Sequence, residues 1–411
     1  MMDFIPLIFG LLSVEVLGWS LSRLILGKKD EDISAAVGFP IGSSVYTLTI
    51  FIVDVIFGQR LDQITGLSIL IILLIGSTCI SLFRVGRPEF KTPKLSDWPA
   101  SERIIVVIII WLCASSWLAS FNKTVVDWDA ITLFDYRARI IFQTGFISDT
   151  YARSSPLSYP LHTSLLHWLT MILGWNTPMP VYPLFFTSLV SSIYFLTRKL
   201  VTNKKALLLA LLVSVAPKIF DNTLIAYANL PYAVYFVLGS LFLYIWTKKS
   251  QKEYFIVGVV LSLLSLWVRV FPFFLVPMAS AIYSYRKNFS IGRLLLAIAL
   301  VSLAILALGL QPENISKSFD VIKWGVIQYY LPSSLLSLSF IYGYSAHKKS
   351  PFWIWTLFGL ITLMVLGSAY YYQQNPVWLE QIDAIQRMAM FYSPVLALSL
   401  LPVFESPTKD D

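Results

Sequence analysis

The sequence predicts an all-α, polytopic integral membrane protein. Hydrophobic residues make up 57% of its 411 residues, charged residues only 13%, and the mean hydropathy is +0.71, values that do not fit the surface of soluble domains. Apolar runs of about 18–24 residues recur from end to end, the length that crosses a bilayer as a helix. The runs are continuous, whereas barrel strands would alternate over about ten residues, so we expect helical spans.

Charged residues between the apolar runs divide the chain into about 13 predicted transmembrane helices. The candidate spans cover residues 4–26, 34–57, 66–83, 104–121, 180–197, 206–220, 231–247, 254–270, 271–285, 293–310, 331–346, 352–369 and 388–403. We group them into three leading helices in 1–103, a central module in 104–310 and C-terminal helices in 311–411.

The net charge of +8 lies in short basic clusters between apolar runs, which indicates the positive-inside rule and not a nucleic-acid partner. An outside N-terminus and a cytoplasmic C-terminus place about twice as many of the 31 lysines and arginines inside as outside. The first run lacks a preceding basic region, so we expect an uncleaved span. Cys79 and Cys113 both lie within apolar runs, which argues against a disulfide framework or a cysteine metal cluster.

This topology leaves one long outer segment, residues 122–179, in the N-terminal two-thirds of the chain. The apolar run 161–174 within it is short for a span, and counting it as one would move two basic clusters outside. We therefore expect this run to lie along the outer surface as an interfacial helix. Any active site is expected in this segment, on the outer face of the membrane.

Charged residues concentrate at the start of the outer segment, from Asp127 to Arg139. If residues 130–143 are helical, one polar face holds Thr132, Asp135, Arg139 and Gln143, and an apolar stripe holds Ala130, Leu133, Phe134, Ile140 and Ile141. The simplest interpretation of Asp135 and Arg139 is a solvated ion pair. Arg137 falls on the apolar stripe, where a guanidinium must snorkel or hold an anion.

Two acidic residues and three distant cations complete the candidate site. Asp127 and Asp129 flank Trp128 where a span meets the outer water, a place where a capping pair is also common. The cations at the same depth are Lys218, Arg269 and Arg387. Interface anchoring stays open for each cation, but together they are the arrangement that an anionic headgroup needs.

At these residues the chain resembles the GT-C superfamily of polytopic glycosyltransferases, which use polyprenyl-phosphate-linked sugars. The resemblance rests on Val126-Asp127-Trp128-Asp129-Ala130, followed by Asp135-Tyr136-Arg137-Ala138-Arg139. Ser158-Tyr159-Pro160-Leu161-His162, leading to Ile172-Leu173-Gly174, is similar to the helix entry in the protein O-mannosyltransferase and aminoarabinose transferase branch. Tyr227-Ala228-Asn229-Leu230-Pro231 resembles a Tyr-Ala-Asp-Leu-Pro element with Asn in place of Asp, and Arg387 with Pro394 resembles the opening of a late span.

The resemblance covers residues 104–310 best and implies an inverting transferase in a bacterial or archaeal plasma membrane. It implies Asp129 as the catalytic base, with Asp127 as the alternative. Its lipid-phosphate ligands would be Arg137, Arg269 and Arg387, with Arg139 and Lys218 as further candidates, and its substrate-lining residues Tyr159, His162 and Asn229. The implied partners are a polyprenyl-phosphate sugar donor, a glycan, lipid or protein acceptor, and membrane lipids. Asp-x-Asp can hold Mg²⁺ or Mn²⁺, but arginines alone can serve a monophosphate, so we favour no metal.

Three other functions remain open on the sequence. A transporter is the main alternative, although carriers place ionisable residues near mid-membrane and show internal repeats, neither of which we find. An O-antigen-type polymerase or ligase would instead depend on a loop near residues 311–330, which contains Glu313, Lys317, Asp320 and Lys323. A scaffold without catalytic activity is the third.

Overall fold

The computed structural model describes residues 4–89, 98–151, 159–285, 307–329, 351–374 and 382–405, together with residues 303 and 305. Every regular element in these ranges is helical, as the sequence predicts. The predicted span 331–346 and most of the predicted span 293–310 lie outside the described residues.

The N-terminal third forms five helices. They are α1 (Phe4–Leu26), α2 (Glu31–Ala36), α3 (Gly38–Val55), α4 (Gln63–Val85) and α5 (Ala100–Asn122), with a 3₁₀ turn at Lys28–Asp30. The outer segment contains a π-helical turn (Ala130–Asp135), α6 (Tyr136–Thr144), α7 (Ser148–Tyr151) and α8 (His162–Ile172).

The remaining helices complete the bundle. They are α9 (Val181–Thr197), α10 (Asn203–Ser214), α11 (Pro217–Asp221), α12 (Asn229–Lys249), α13 (Lys252–Val268), α14 (Leu275–Tyr285), α15 (Pro312–Tyr329), α16 (Phe352–Gln374), α17 (Ile382–Leu398) and α18 (Leu401–Phe404), with 3₁₀ turns at Asn222–Leu224 and Pro272–Phe274. The predicted loop near 311–330 is therefore wrong, because α15 occupies it. Its charges Glu313 and Lys317 form an ordinary i, i+4 ion pair of 2.8 Å on that helix.

Six helices among the described residues are long and apolar enough to cross a membrane. They are α1, α3, α4, α5, α12 and the Phe352–Tyr371 part of α16. A seventh candidate, α10 with Lys218–Leu224, is bent by 63°. The protein is thus a helical membrane protein, and α9 is among its shorter apolar helices.

α1 and α3 cross with their backbones in direct contact at glycines. A Cβ built on Gly18 would lie 1.9 Å from the carbonyl oxygen of Gly38, and one on Gly42 would lie 1.9 Å from that of Val14. Gly38 and Gly42 are four residues apart, the spacing that lets membrane helices approach closely. The same region breaks the predicted span 34–57, since α2 ends at Ala36 and α3 begins at Gly38.

Polar contacts gather the helix ends into two layers. At one end, three ion pairs of 2.6 Å join separate elements: Lys28–Glu89, Lys199–Asp30 and Lys248–Glu405. At the other end, the Asp54 carboxylate accepts the Ile147 N–H at 2.7 Å, and the Thr177 hydroxyl donates to the Lys123 carbonyl at 3.2 Å. We call these layers the basic end and the loop end. Lys28, Lys199 and Lys248, from three of the basic clusters that the charge rule assigned to one side, lie together at the basic end.

A buried ion pair lies toward the basic end of the first helices. The Nε of Arg23 in α1 donates to Oε1 of Glu31 in α2 at 2.6 Å, and both side chains are buried. Its Nη1 also donates to the Ser81 hydroxyl of α4 at 3.3 Å. Separating α1 from α2 would leave a buried charge without its partner, which is energetically costly. The ion pair therefore fixes α1 against α2, and the hydrogen bond to Ser81 adds α4 to this contact.

α8 is buried along its whole length, so the prediction that residues 161–174 lie along the outer surface is wrong. All residues from His162 to Ile172 are buried. The helix packs against α3, α4, α6 and α13. Its two histidines form hydrogen bonds with tyrosine hydroxyls inside the bundle, and these bonds reduce the energetic cost of burying polar side chains.

Candidate functional site

The residues from Ala130 to Thr144 form one continuous helix at the loop end, which we call the loop helix. It ends at Gly145, whose φ of 83° suits glycine at a helix C-terminus. The predicted apolar stripe is confirmed, because its members are all buried: Ala130, Leu133, Phe134, Arg137, Ile140 and Ile141. Asp135 is also buried, contrary to prediction. A π turn is wider than an α turn, so spacing based on α geometry does not hold across it.

Asp135 forms the predicted ion pair with Arg139. The Arg139 Nε donates to Oδ2 of Asp135 at 2.7 Å, with the arginine side chain 55% exposed. His167 of α8 lies on the other side, with Nδ1 3.8 Å from Oδ1 of Asp135 and Nε2 2.7 Å from the Tyr182 hydroxyl. Burial lowers the pKa of His167 to about 3, so the imidazole is neutral at pH 7 and this contact is not an ion pair.

Asp127 and Asp129 lie just before the loop helix, half-buried on either side of the exposed Trp128. The backbone N–H of Asp129 donates to the Tyr227 hydroxyl at 3.3 Å. The Oδ2 atom of Asp127 is buried and has no hydrogen-bond partner in the described part of the chain. The segment before α12 thus places an aromatic residue against the acidic pair.

Arg137 is turned into the protein. Its side chain is 2% exposed, and Nη1 donates to the Tyr159 carbonyl at 2.8 Å. Burial lowers the pKa of Arg137 below its ordinary value, although a guanidinium stays charged at pH 7. Of the two interpretations left open by the sequence, snorkelling is excluded, because the guanidinium does not reach solvent.

Arg269 reaches the same place from the end of α13. Its Nη1 donates to Oδ1 of Asn229 at 2.5 Å. Its guanidinium carbon lies 4.8 Å from the ring centre of Tyr159 and 4.0 Å from that of Phe271. Tyr159 therefore contacts Arg137 through its carbonyl and Arg269 through its ring, a cation–π geometry.

Aromatic rings connect these arginines to the acidic pair. Phe134 lies 5.4 Å from Tyr159 and 6.4 Å from Tyr227 between ring centres. We call the assembled residues the loop-end cluster: Asp127, Asp129, Arg137, Tyr159, Tyr227, Asn229 and Arg269. Six of these seven are predicted site residues. Tyr227 is the one member of the cluster that was not predicted as a site residue. The sequence feature that could have indicated it is its position at the start of the Tyr-Ala-Asn-Leu-Pro element.

Lys218 and Arg139 lie outside the loop-end cluster. Lys218 is half-buried on α11, which packs against α10 and α17. Arg387 belongs to α17, which contains Pro394 as expected, but its side chain lies outside the described residues. Arg139 is engaged with Asp135 at the edge of the loop helix.

His162 does not line the cluster, which corrects the prediction. It is fully buried, with Nε2 3.3 Å from the Tyr235 hydroxyl, and that hydroxyl lies 2.6 Å from the Ser44 hydroxyl of α3. Burial lowers the pKa of His162 to about 3. The first turn of α8 thus belongs to the interior contact of α3, α8 and α12.

The described residues contain no group of three or more His, Cys, Asp or Glu side chains placed to hold a metal ion. Comparison with protein-family models, with curated proteins and with solved structures finds no match to this chain. Fold and site together define a helical membrane protein with a cluster of carboxylates, arginines and aromatic rings at one end.

Proposed function

We propose that the protein is a glycosyltransferase that moves a sugar from a polyprenyl-phosphate donor to a glycan, lipid or protein acceptor. The loop end is the outer face in this proposal, and the complete chain has about 13 spans in a GT-C-like arrangement. The main support is the loop-end cluster. In it, Arg137 and Arg269, far apart in the chain, meet at Tyr159 beside two carboxylates.

The chemistry requires one base and a place for a phosphate. Asp129 takes the proton of the acceptor hydroxyl as that oxygen bonds to the anomeric carbon. The bond from the anomeric carbon to the phosphate oxygen breaks, and the polyprenyl phosphate leaves with the electron pair. Arg137 and Arg269 stabilise the negative charge that develops on it. Inversion follows from attack opposite the leaving group.

The burial of Arg137 makes it suited to this role. Charges interact more strongly away from water, and guanidinium geometry matches phosphate oxygens. The Tyr159 carbonyl and ring hold the two arginines, so little reorganisation accompanies binding of the donor.

The first test is transfer of radiolabelled sugar from a panel of polyprenyl-phosphate sugars by the purified protein in lipid. We expect Asp129→Asn to lower the transfer rate by roughly 10²–10⁴-fold, the usual contribution of a general base. Asp127→Asn is the matched control, two residues away and equally half-buried. Equal activity in both variants would refute Asp129 as the base, and no turnover by the wild type with any donor would refute the class.

A second prediction separates the two arginines of the loop helix. Arg137→Gln should weaken donor binding and turnover, because it removes a buried cation from the loop-end cluster. Arg139→Gln should affect both much less, since the Arg139 side chain is 55% exposed and already pairs with Asp135 outside that cluster. Initial rates over a range of donor concentrations measure both effects. Equal losses in the two variants would contradict the assignment of Arg137 to the phosphate.

A transporter is the second candidate function, because of the break between α2 and α3. Glu15 lies near the middle of α1, and its carboxyl group accepts the N–H of Phe39 at the start of α3. Ionisable groups beside broken helices occur at substrate and ion sites of carriers. The prediction that all charges lie at the outer edge overlooked Glu15. Loss of substrate uptake into proteoliposomes on Glu15→Gln, with unchanged folding, would favour this function.

A further inference from the structure

A cleft of about 380 Å³ lies at the loop end, apart from the loop-end cluster. It is lined by Arg60, Asp62 and Gln63 at and just before the start of α4, by Phe142 of the loop helix and by Trp168 of α8. Its volume is within the range of small-molecule sites. None of its lining residues belongs to the loop-end cluster, so a ligand bound in the cleft does not depend on the proposed function.

Hydrogen bonds between distant segments hold the walls of the cleft. The Leu61 N–H donates to the Gly145 carbonyl at 2.7 Å, and Nε2 of Gln63 donates to the Ile172 carbonyl at 2.9 Å. Oδ1 of Asp62 accepts the Thr65 N–H at 2.7 Å as the N-cap of α4. The cleft is therefore formed before any ligand arrives.

One cation in the cleft is not used by these bonds. The Arg60 side chain lies across Gly145, where an added Cβ would be 2.5 Å from Cγ of Arg60, and it takes part in none of the ion pairs among the described residues. The indole of Trp168 is fully buried, so it supports the wall of the cleft and is not a donor to a ligand there. A guanidinium requires acceptor oxygens, and phosphate supplies them.

The cleft also carries one negative charge. The Asp62 carboxylate is exposed and ionised at pH 7, and its pKa is lowered further by hydrogen bonds from Thr65 and by the nearby charge of Arg60. A cation beside the phosphate would complement it. The cleft therefore fits a ligand with one anionic and one cationic group better than a simple anion.

The position of the cleft indicates where such a ligand comes from. α4 is a membrane-spanning candidate that begins at Gln63, so the cleft lies where the helix enters the bilayer. Exposed isoleucines follow on one face of α4: Ile64 (76%), Ile71 (53%) and Ile75 (57%). Acyl chains can lie along this face while the headgroup occupies the cleft.

We infer that the cleft binds the headgroup of a zwitterionic phospholipid that carries a primary ammonium. The phosphate accepts hydrogen bonds from Arg60, and the ammonium pairs with Asp62. Phe142, which is 51% exposed, covers the headgroup from the side of the loop helix.

Native mass spectrometry of the full-length protein tests this with short-chain phosphatidylethanolamine, phosphatidylglycerol and phosphatidylcholine, and calorimetry tests inorganic phosphate. We expect phosphatidylethanolamine to bind most tightly. Arg60→Gln should weaken both phosphatidylethanolamine and phosphatidylglycerol by roughly tenfold or more, the effect of losing a charge-assisted hydrogen bond. Asp62→Asn should weaken phosphatidylethanolamine and leave phosphatidylglycerol unchanged, because asparagine still caps α4 but carries no charge. Arg103→Gln, an exposed arginine at the start of α5, is the control.

Three outcomes would overturn the inference. Equal lipid binding by the wild type, Arg60→Gln and Asp62→Asn would show that the lipid binds elsewhere. Equal affinity for all three lipids would exclude selection by the ammonium. Binding of inorganic phosphate as tightly as phosphatidylethanolamine, and loss of it in Arg60→Gln, would mean that the cleft is a site for free phosphate.

Discussion

Two histidines of α8 each lie beside a tyrosine hydroxyl, but their surroundings differ. His162 meets Tyr235 in the interior, whereas His167 meets Tyr182 and faces Asp135 of the loop helix. Since His167 is neutral, its Nδ1 proton is expected to point to Asp135 and its Nε2 to accept from Tyr182, an assignment made from the contacts. This arrangement connects α8 and α9 to the helix that carries Arg137.

The buried histidines predict a loss of stability in mild acid. Burial lowers the pKa of His167 from 6.5 to about 3, so between these values the unfolded state binds more protons than the folded state. The free energy of unfolding therefore falls as the pH drops below 6.5, by roughly 2 kcal/mol for this histidine at pH 5. Thermal unfolding midpoints in detergent from pH 7.5 to pH 5 measure the effect.

The variant His167→Phe is the comparison for that measurement. It should be less stable than the wild type at pH 7.5, because it loses the Tyr182 contact, but its midpoint should depend less on pH. Contributions from the other histidines cancel in the difference between the two slopes. Identical slopes would show that His167 does not titrate between pH 5 and pH 7.5 on unfolding.

At the scale of single residues, the sequence predicted most of the loop-end cluster. The stripe spacing placed Arg137 on the apolar face of the loop helix, with snorkelling and anion binding both open, and the resemblance indicated Asp129, Tyr159 and Asn229. His162 was predicted wrongly, because a helix with apolar residues on all sides was assumed to lie at the surface. Whether such a helix lies at the membrane surface or in the interior depends on its contacts with distant segments, such as the one between His162 and Tyr235. The spacing of residues along one helix gives no information about such contacts.

At the scale of elements, the contact of α1 with α3 depends on small residues. Gly18 and Gly42 bring the two backbones together, and Gly38 faces Glu15 of α1. Backbone atoms cannot move aside as flexible side chains do, so added volume at these glycines must separate the helices. The crossing therefore fixes where α3 begins relative to α1.

Substitution of Gly42 tests this contact. We expect Gly42→Ala to lower the free energy of unfolding by about 1–3 kcal/mol, the usual cost of overpacking. Gly76→Ala in α4 is the matched control, because nothing lies within 4 Å of a Cβ at Gly76 and alanine favours helix formation. Denaturation in mixed micelles compares the two. A Gly42→Ala variant as stable as Gly76→Ala would mean that the helices separate at little cost.

Element boundaries were predictable only in part. The apolar runs gave α1, α4 and α5 nearly as the structure has them, because these long helices have no internal break. The run 34–57 looked continuous, yet α2 and α3 are separate. The spacing of Gly38 and Gly42 was visible in the sequence. A hydropathy profile nevertheless does not detect the break between α2 and α3, because the residues at the break are themselves apolar or small.

At the scale of the whole molecule, ion pairs at the basic end and hydrogen bonds at the loop end divide the bundle into two polar layers. This agrees with the sidedness that the charge clusters predict, since Lys28, Lys199 and Lys248 lie in one layer. Both layers are defined by contacts among the described residues, so they hold whatever the total number of spans is. They predict that the loops of one layer all face the same side of the membrane.

Labelling of single cysteines tests that prediction. In a background with Cys79 and Cys113 replaced by serine, Thr124→Cys at the loop end should react with a membrane-impermeant maleimide in intact cells. Gln251→Cys at the basic end should react only after permeabilisation, because positive clusters stay cytoplasmic. The reverse pattern would invert the orientation, and reaction of both in intact cells would contradict the two layers.

The burial of α8 also has a consequence for synthesis of the chain. Tyr235, the partner of His162, is translated 73 residues later, which at ordinary elongation rates takes roughly 4–15 s. During that interval α8 has left the ribosome without the α12 surface that will cover it. We therefore expect α8 to remain at the translocation machinery or at the lipid surface during this interval. It reaches its final position only after α12 is inserted.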